Sequence, residues 1–187
     1  NADFLRSAGA LNGDVELTGL KHNSLQGDRQ IVEILKAMGA DMEKTQLGYK
    51  ARKSSLYGVT IDARDIPDLV PALSVVMSFA KGVSVIKNTD RLKLKECDRQ
   101  AAVIEFLRKL GKDVKLINQD IIISGDGLSK GKTMCGKKDH RIIMSLALAA
   151  MKGKEIKILD SQYVNKSYPN FFLDIKALGG EYVIDLG

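Results

Sequence analysis

Residues 93–100 read KLKECDRQ, which sets Lys93, Lys95 and Arg99 beside Glu96 and Asp98, immediately ahead of the apolar-periodic run AAVIEFLRKLG. A helix start needs one capping side chain, so three bases and two acids there suggest a further task. With a helix beginning near Lys95, Lys95 and Arg99 stand one turn apart on one face. Cations at a helix N-terminus oppose the macrodipole. Unsatisfied N–H groups combined with cationic side chains instead suit a docked anion. The plain alternative is a solvated charge cluster. KKDHRIIMS (137–145) has the same form: bases and an acid before a continuously apolar helix. There Asp139 reads as an N-cap, His140 as a structural histidine, and Arg141 as a cation without an evident structural task. DIPDLVP (65–71) puts Asp68 in a first turn beside prolines, where a carboxylate favours the helix dipole. NKSYPNFF (165–172) puts Lys166 just before another helix, with Pro169 near its first position. His22 and Cys97 have no neighbours that give them chemistry.

The elements behind these residues repeat. QGDRQIVEILKAMGADM (26–42) is echoed by ECDRQAAVIEFLRKLGKDV (96–114), so that Asp28 and Asp98 stand 70 positions apart and Gly39 and Gly111 stand 72 apart. SYPNFFLDIKALGGEYV (167–183) is a third echo, its Gly179 another 68 on. A second helix type starts at Asp68 and again at Asp139, 71 later, and ends at Gly82 and Gly153. A fixed period of this length is the mark of a repeated supersecondary unit. The unit reads strand, helix, strand, helix, strand, strand. Strands are expected at 14–20, 58–63, 83–88, 155–160 and 181–186, and a hairpin is expected where Asn118-Gln119 splits DVKLIN from DIIISG. ALSVVMSFA and IIMSLALAAM are apolar on nearly every face and belong inside the fold. The expected class is α/β, with helices inside, sheets outside and three units around a pseudo-threefold axis. The third unit reads as incomplete, lacking its second helix and closing strands. Parallel helices in such a fold bring Asp68, Lys95, Glu96, Arg99, Arg141 and Lys166 to one face. Several cations and two carboxylates there describe a site for a small polyanion and for proton transfer.

Composition narrows the class. A chain of 187 residues, 44% hydrophobic and 28% charged, is a soluble globular domain or a large lobe. The net charge of +6 is spread along the chain, and aromatics make up 5%. That favours a small anionic ligand over a stacking surface for nucleic acid. Cys97 and Cys135, 38 apart, suggest neither a disulfide framework nor a zinc site. No apolar run reaches membrane-spanning length and no signal-peptide pattern opens the chain, so the expectation is a cytoplasmic protein without membrane or nucleic-acid partners. Asn1-Ala2 reads as an expression remnant and DFLRSAGAL as a start in mid-protein. GDGLSKGKT (125–133) approaches a phosphate-binding loop, but three residues separate Gly127 from Gly131 and no apolar helix follows. It reads as a surface loop.

These segments resemble one family. LKECDRQAAVIEFLRKLG resembles the KESDR helix of the 5-enolpyruvylshikimate-3-phosphate (EPSP) synthases, with Cys97 in place of the usual serine or threonine. NSLQGDRQIVEILKAMGA, DIPDLVPAL, KKDHRIIMSLALAAMKG and VNKSYPNFFLDIKALGG match other signatures of that family in order. The resemblance covers essentially the whole chain. It implies that residues 1–187 are the C-terminal lobe of a two-lobed enzyme, whose N-terminal lobe holds most contacts to shikimate-3-phosphate and whose first segment crosses back to complete this lobe. The implied reaction joins phosphoenolpyruvate to the 5-hydroxyl of shikimate-3-phosphate and releases phosphate, without metal or organic cofactor. By the same resemblance Asp68 is the base at that hydroxyl and Glu96 the acid and base at the phosphoenolpyruvate methylene. Lys95 bridges the two substrates; Arg99, Arg141 and Lys166 hold phosphoenolpyruvate; and Asn88 contacts shikimate-3-phosphate. Two other readings remain: enolpyruvyl transfer to a UDP-sugar, and a module of related fold that binds nucleic acid or another polyanion. The isolated lobe is expected to lack activity while keeping a weak site for phosphate or sulfate.

Overall fold

The computed structural model describes residues 2–13, 15–18, 27–46, 48–124, 132–152 and 155–183. Expectations for His22, Gly153, the loop 125–131 and residues 184–186 lie outside them. The elements in chain order are α1 (Ala2–Asn12), β1 (Val15–Thr18), α2 (Gly27–Ala37), β2 (Asp41–Lys44), β3 (Gly48–Arg52), β4 (Thr60–Asp62), α3 (Val70–Ser78), β5 (Ser84–Lys87), α4 (Arg99–Lys109), β6 (Asp113–Ile117), β7 (Asp120–Ser124), β8 (Lys132–Cys135), α5 (His140–Ala150), β9 (Ile156–Leu159) and α6 (Phe171–Ala177). Two 3-10 turns, Thr89–Leu94 and Ser161–Lys166, follow β5 and β9.

Among the described residues, three separate sheets carry the repeat. One is ordered β1-β3-β2, the second β4-β5-β7-β6 and the third β8-β9. The second sheet is the complete unit, with β4 parallel to β5 and the β6–β7 hairpin antiparallel beside them. The first sheet repeats its right-hand part and the third its parallel pair. The strands at 41–44, 48–52 and 132–135 were not foreseen: DMEK and GYKAR are short and polar, without a clear alternation of apolar residues. The third unit, counted from its first strand, has both helices, α5 and α6. The expected gap at the second helix is not there, because β8, a short strand ahead of α5, opens the unit. Residues 181–183 form no strand.

The helices lie within. Every residue of α3 is buried, and in α5 all but Arg141 and Ala150 are. α3 packs against α5, and α1 and α4 each pack against both. The hydroxyls that enter this core are satisfied locally: Ser74 donates to the Pro71 carbonyl, Ser78 to that of Val75 and Ser145 to that of Arg141. The amphipathic α2, α4 and α6 share one ending. Gly39, Gly111 and Gly179 take φ of 94°, 82° and 87°, and the next residue's N–H reaches back to Leu35, Leu107 or Ile175. This is the left-handed Schellman cap, at the spacing read from the sequence.

Candidate active site

The N-termini of α3, α4 and α5 converge on one guanidinium. Arg99, 1% exposed, donates from Nε to Asp139 Oδ2 (2.8 Å), from Nη1 to Asp68 Oδ1 (2.8 Å), and from Nη2 to Glu96 Oε2 and Asp139 Oδ1. Burying an arginine this way requires that its donors be met, and three carboxylates meet them. Lys95 Nζ lies 3.1 Å from Asp68 Oδ1, and Arg141 Nη1 donates to the Asp68 carbonyl at 2.8 Å. Lys166, 62% exposed, has its Nζ 4.0 Å from Glu96 Oε1. Asp68, Lys95, Glu96, Arg99, Arg141 and Lys166 thus form one connected network on one rim.

The local route differs from the expected one. The helix after KLKE begins at Arg99, with Asp98 as N-cap accepting from the Ala101 N–H at 2.9 Å. Lys95 is extended, closing the preceding 3-10 turn. Lys95 and Arg99 therefore do not share a helix face; both reach the Asp68 carboxylate from different elements. Asp68 precedes the α3 N-cap, Leu69, instead of lying in the first turn. Lys166 ends the second 3-10 turn, and Pro169 precedes the α6 N-cap Asn170, so it is not at the first helical position. Asn88 stands apart from the network. Its backbone N–H meets Asp120 and its amide meets Asp62 Oδ2 at 2.9 Å.

Asp139 does more than the sequence suggested. It caps α5 through the Arg141 N–H (2.9 Å), as read, but it is also fully buried as the inner partner of Arg99. The signal was present: Asp139 lies 71 residues after Asp68, and both carboxylates meet Arg99. His140 is buried too, with Nδ1 4.0 Å from Glu96 Oε1 and no hydrogen-bond partner.

Electrostatics follow from this packing. Burial alone raises the Asp68 pKa, but the charges of Arg141 and Lys95 and the bonds from Lys95 and Arg99 outweigh it and hold the group below the ordinary carboxylate range. Asp139 is likewise held low, burial being outweighed by Arg99 and the Arg141 N–H. Burial lowers the pKa of His140, so the imidazole stays neutral near pH 7. Burial and the adjacent Asp139 push the Cys97 thiol up to about 12, so it remains protonated and a poor nucleophile. Four cations against three carboxylates leave the rim with a formal surplus of one positive charge, and Lys166 is its most exposed part. The arrangement suits a compact anion at the α5 N-terminus with a carboxylate beside it to move a proton.

Helices enclosed by three pseudo-equivalent sheets, with charged helix N-termini gathered on one rim, define the enolpyruvyl-transferase fold. An enolpyruvyl transferase of Streptomyces tendae superposes with a TM-score of 0.73 over 96% of this chain and 42% of its own length, at 17% identity, which speaks for the fold alone. EPSP synthase from Acinetobacter baumannii gives 0.81 at 26% identity, over 94% of this chain and 44% of that one. The family model for EPSP synthase (3-phosphoshikimate 1-carboxyvinyltransferase) matches residues 1–175, and the chain belongs to that family. A 3-phosphoshikimate 1-carboxyvinyltransferase of Clostridium acetobutylicum is 42% identical over 181 residues, and one of Clostridioides difficile is 42% identical over 179. These alignments cover 96% and 95% of this chain but 42% and 41% of the relatives, so the chain spans less than half their length.

Proposed function

We propose that the chain is the C-terminal, phosphoenolpyruvate-gripping lobe of an enzyme that transfers enolpyruvyl to the 5-hydroxyl of shikimate-3-phosphate and releases phosphate. The observation that carries this reading is the Arg99-centred network, which joins cations and acids from three helix starts in a member of this family. In the proposed reaction the hydroxyl oxygen bonds to C2 of phosphoenolpyruvate while Glu96 protonates the methylene carbon. Glu96 then takes a proton back from the resulting methyl group as the C2–O bond to phosphate breaks. Asp68 accepts the hydroxyl proton. A carboxylate held this acidic is a weak base, so it fits a proton shared as the carbon–oxygen bond forms, not one removed beforehand. Lys95 lies between the substrates, while Arg141 and Lys166 neutralise phosphoenolpyruvate, whose carboxylate and phosphate match cationic partners. Arg99, expected as a third ligand, is a weaker candidate for direct contact, because it is buried with its donors taken by Asp68, Glu96 and Asp139, and it orders those carboxylates instead. Asn88 is a weaker candidate as a ligand of shikimate-3-phosphate, because its amide is engaged by Asp62. The shikimate-3-phosphate cradle belongs to the other lobe of the full-length protein.

The test is phosphate release by the full-length protein from phosphoenolpyruvate, with shikimate-3-phosphate and with a UDP-sugar as acceptor. Release with the former alone supports the reading, and release with the UDP-sugar alone overturns the acceptor. Glu96→Gln keeps the shape and removes the proton carrier. It is expected to lower kcat by about 10²–10⁴-fold with little change in phosphoenolpyruvate binding, and near-normal turnover would refute its role.

A further inference from the structure

Two of the rim's lysines are delivered by the same local construction, used twice. β4 ends at Asp62, whose register partner on the parallel strand β5 is Lys87. The next residue, Asn88, is left-handed (φ 57°) and opens the 3-10 turn that Lys95 closes. Asp62 accepts from the N–H two residues on, Arg64 (3.0 Å), and from the Asn88 amide across the strand pair (2.9 Å). β8 ends at Cys135, whose register partner on β9 is Leu159. The next residue, Asp160, is left-handed (φ 62°) and opens the 3-10 turn that ends at Lys166. Cys135 Sγ accepts from the N–H two residues on, Lys137 (3.3 Å), and donates to Asp160 Oδ2 across the strand pair (3.5 Å). The backbone bonds match as well: Ala63 N–H to the Lys87 carbonyl, and Gly136 N–H to that of Leu159.

Neither left-handed residue is glycine, and Lys137 and Lys138 are left-handed too (φ 55° each). Such conformations carry a backbone cost and persist where surroundings hold them. Asn and Asp tolerate the region better than other residues. Gly136 allows the second junction to close, since a Cβ there would lie 2.5 Å from Ile143 Cγ1 and 2.8 Å from the Leu159 carbonyl. The Cys135 junction thereby fixes both exits at once: one leads through Lys137-Lys138 to Asp139 and Arg141, the other through 161–166 to Lys166.

We propose that Asp62–Asn88 and Cys135–Asp160 are a repeated strand-end clamp, and that these are positioning residues which set Lys95 and Lys166 on the rim. Cys135 is then neither a reactive thiol nor a filler; it acts through Lys166. The significance of Lys166 for binding rests on the functional reading above, but the clamp is a property of the lobe. Two measurements separate them. In the full-length protein, Cys135→Ala is expected to speed amide hydrogen exchange across 161–166 and at Lys137, with β6–β7 unchanged. Cys135→Ser keeps a donor and an acceptor and is expected to restore slow exchange. Unchanged exchange in Cys135→Ala, or equal acceleration in both variants, overturns the clamp. In the full-length protein, phosphoenolpyruvate affinity is measured by calorimetry with shikimate-3-phosphate present. Cys135→Ala is expected to weaken it roughly threefold to tenfold, Cys135→Ser by less than about twofold, and Cys135→Ala to add nothing in a Lys166→Met background, since coupled residues are not additive. An equal loss in both backgrounds refutes action through Lys166. A wild-type protein that binds no phosphoenolpyruvate overturns the functional reading and leaves the exchange result to judge the clamp.

Discussion

Arg99 has one solvent-excluded guanidinium and three carboxylates around it, so its partners differ in what their loss leaves behind. Asp139→Ala leaves a buried arginine short of its inner partner and uncaps α5. A loss of about 3–5 kcal/mol is expected in denaturant unfolding of the chain, and a loss under about 1 kcal/mol would mean that water replaces the carboxylate. The pH dependence has a definite sign. Asp68 and Asp139 have depressed pKa values, so the stability they contribute is present above the ordinary carboxylate range and is lost as pH falls through the folded values. His140, also depressed from its ordinary 6.5, is neutral in the fold where the unfolded chain is already protonated. Stability is therefore expected to be flat from about pH 7 to about pH 8 and to begin falling below that range. His140→Gln should remove the first part of that fall and leave the carboxylate part. An unchanged profile would show that His140 does not contribute.

The elements most legible in the sequence were those whose pattern is carried by single strong signals. The apolar runs of α3 and α5 announced buried helices, and glycines about seventy residues apart announced the shared cap. What stayed hidden depended on contacts between elements. β2 and β3 hold together through register and through Arg52 with Asp41 and Glu43, which no local alternation reveals. The true start of α4 depended on Asp98 winning the cap, and Asp139 reads as a plain cap until Arg99 is seen above it. Burial also ranks substitutions. Leu73 in α3 is fully buried, so Leu73→Ala is expected to cost about 2–5 kcal/mol through lost transfer energy and a cavity. Leu94 is 86% exposed beside Lys95, and Leu94→Ala should stay within about 0.5 kcal/mol of wild type. Comparable losses at both positions by thermal unfolding would contradict the inside-out arrangement.

At the scale of the whole molecule, the described residues present a rim of cations and acids, which the proposed function makes one half of a two-substrate site. Holding both reactants in line can supply about 7–11 kcal/mol of a reaction barrier, and water exclusion strengthens each charge contact. Under that proposal the chain alone is expected to keep its anion affinity and to lose that contribution. The central claim is therefore tested by phosphate release from phosphoenolpyruvate plus shikimate-3-phosphate in three samples: residues 1–187 alone, the separately produced remainder of the full-length protein, and the two mixed. The account predicts no turnover from either piece and recovery on mixing, abolished by Glu96→Gln in this lobe. Full activity from residues 1–187 alone would contradict it.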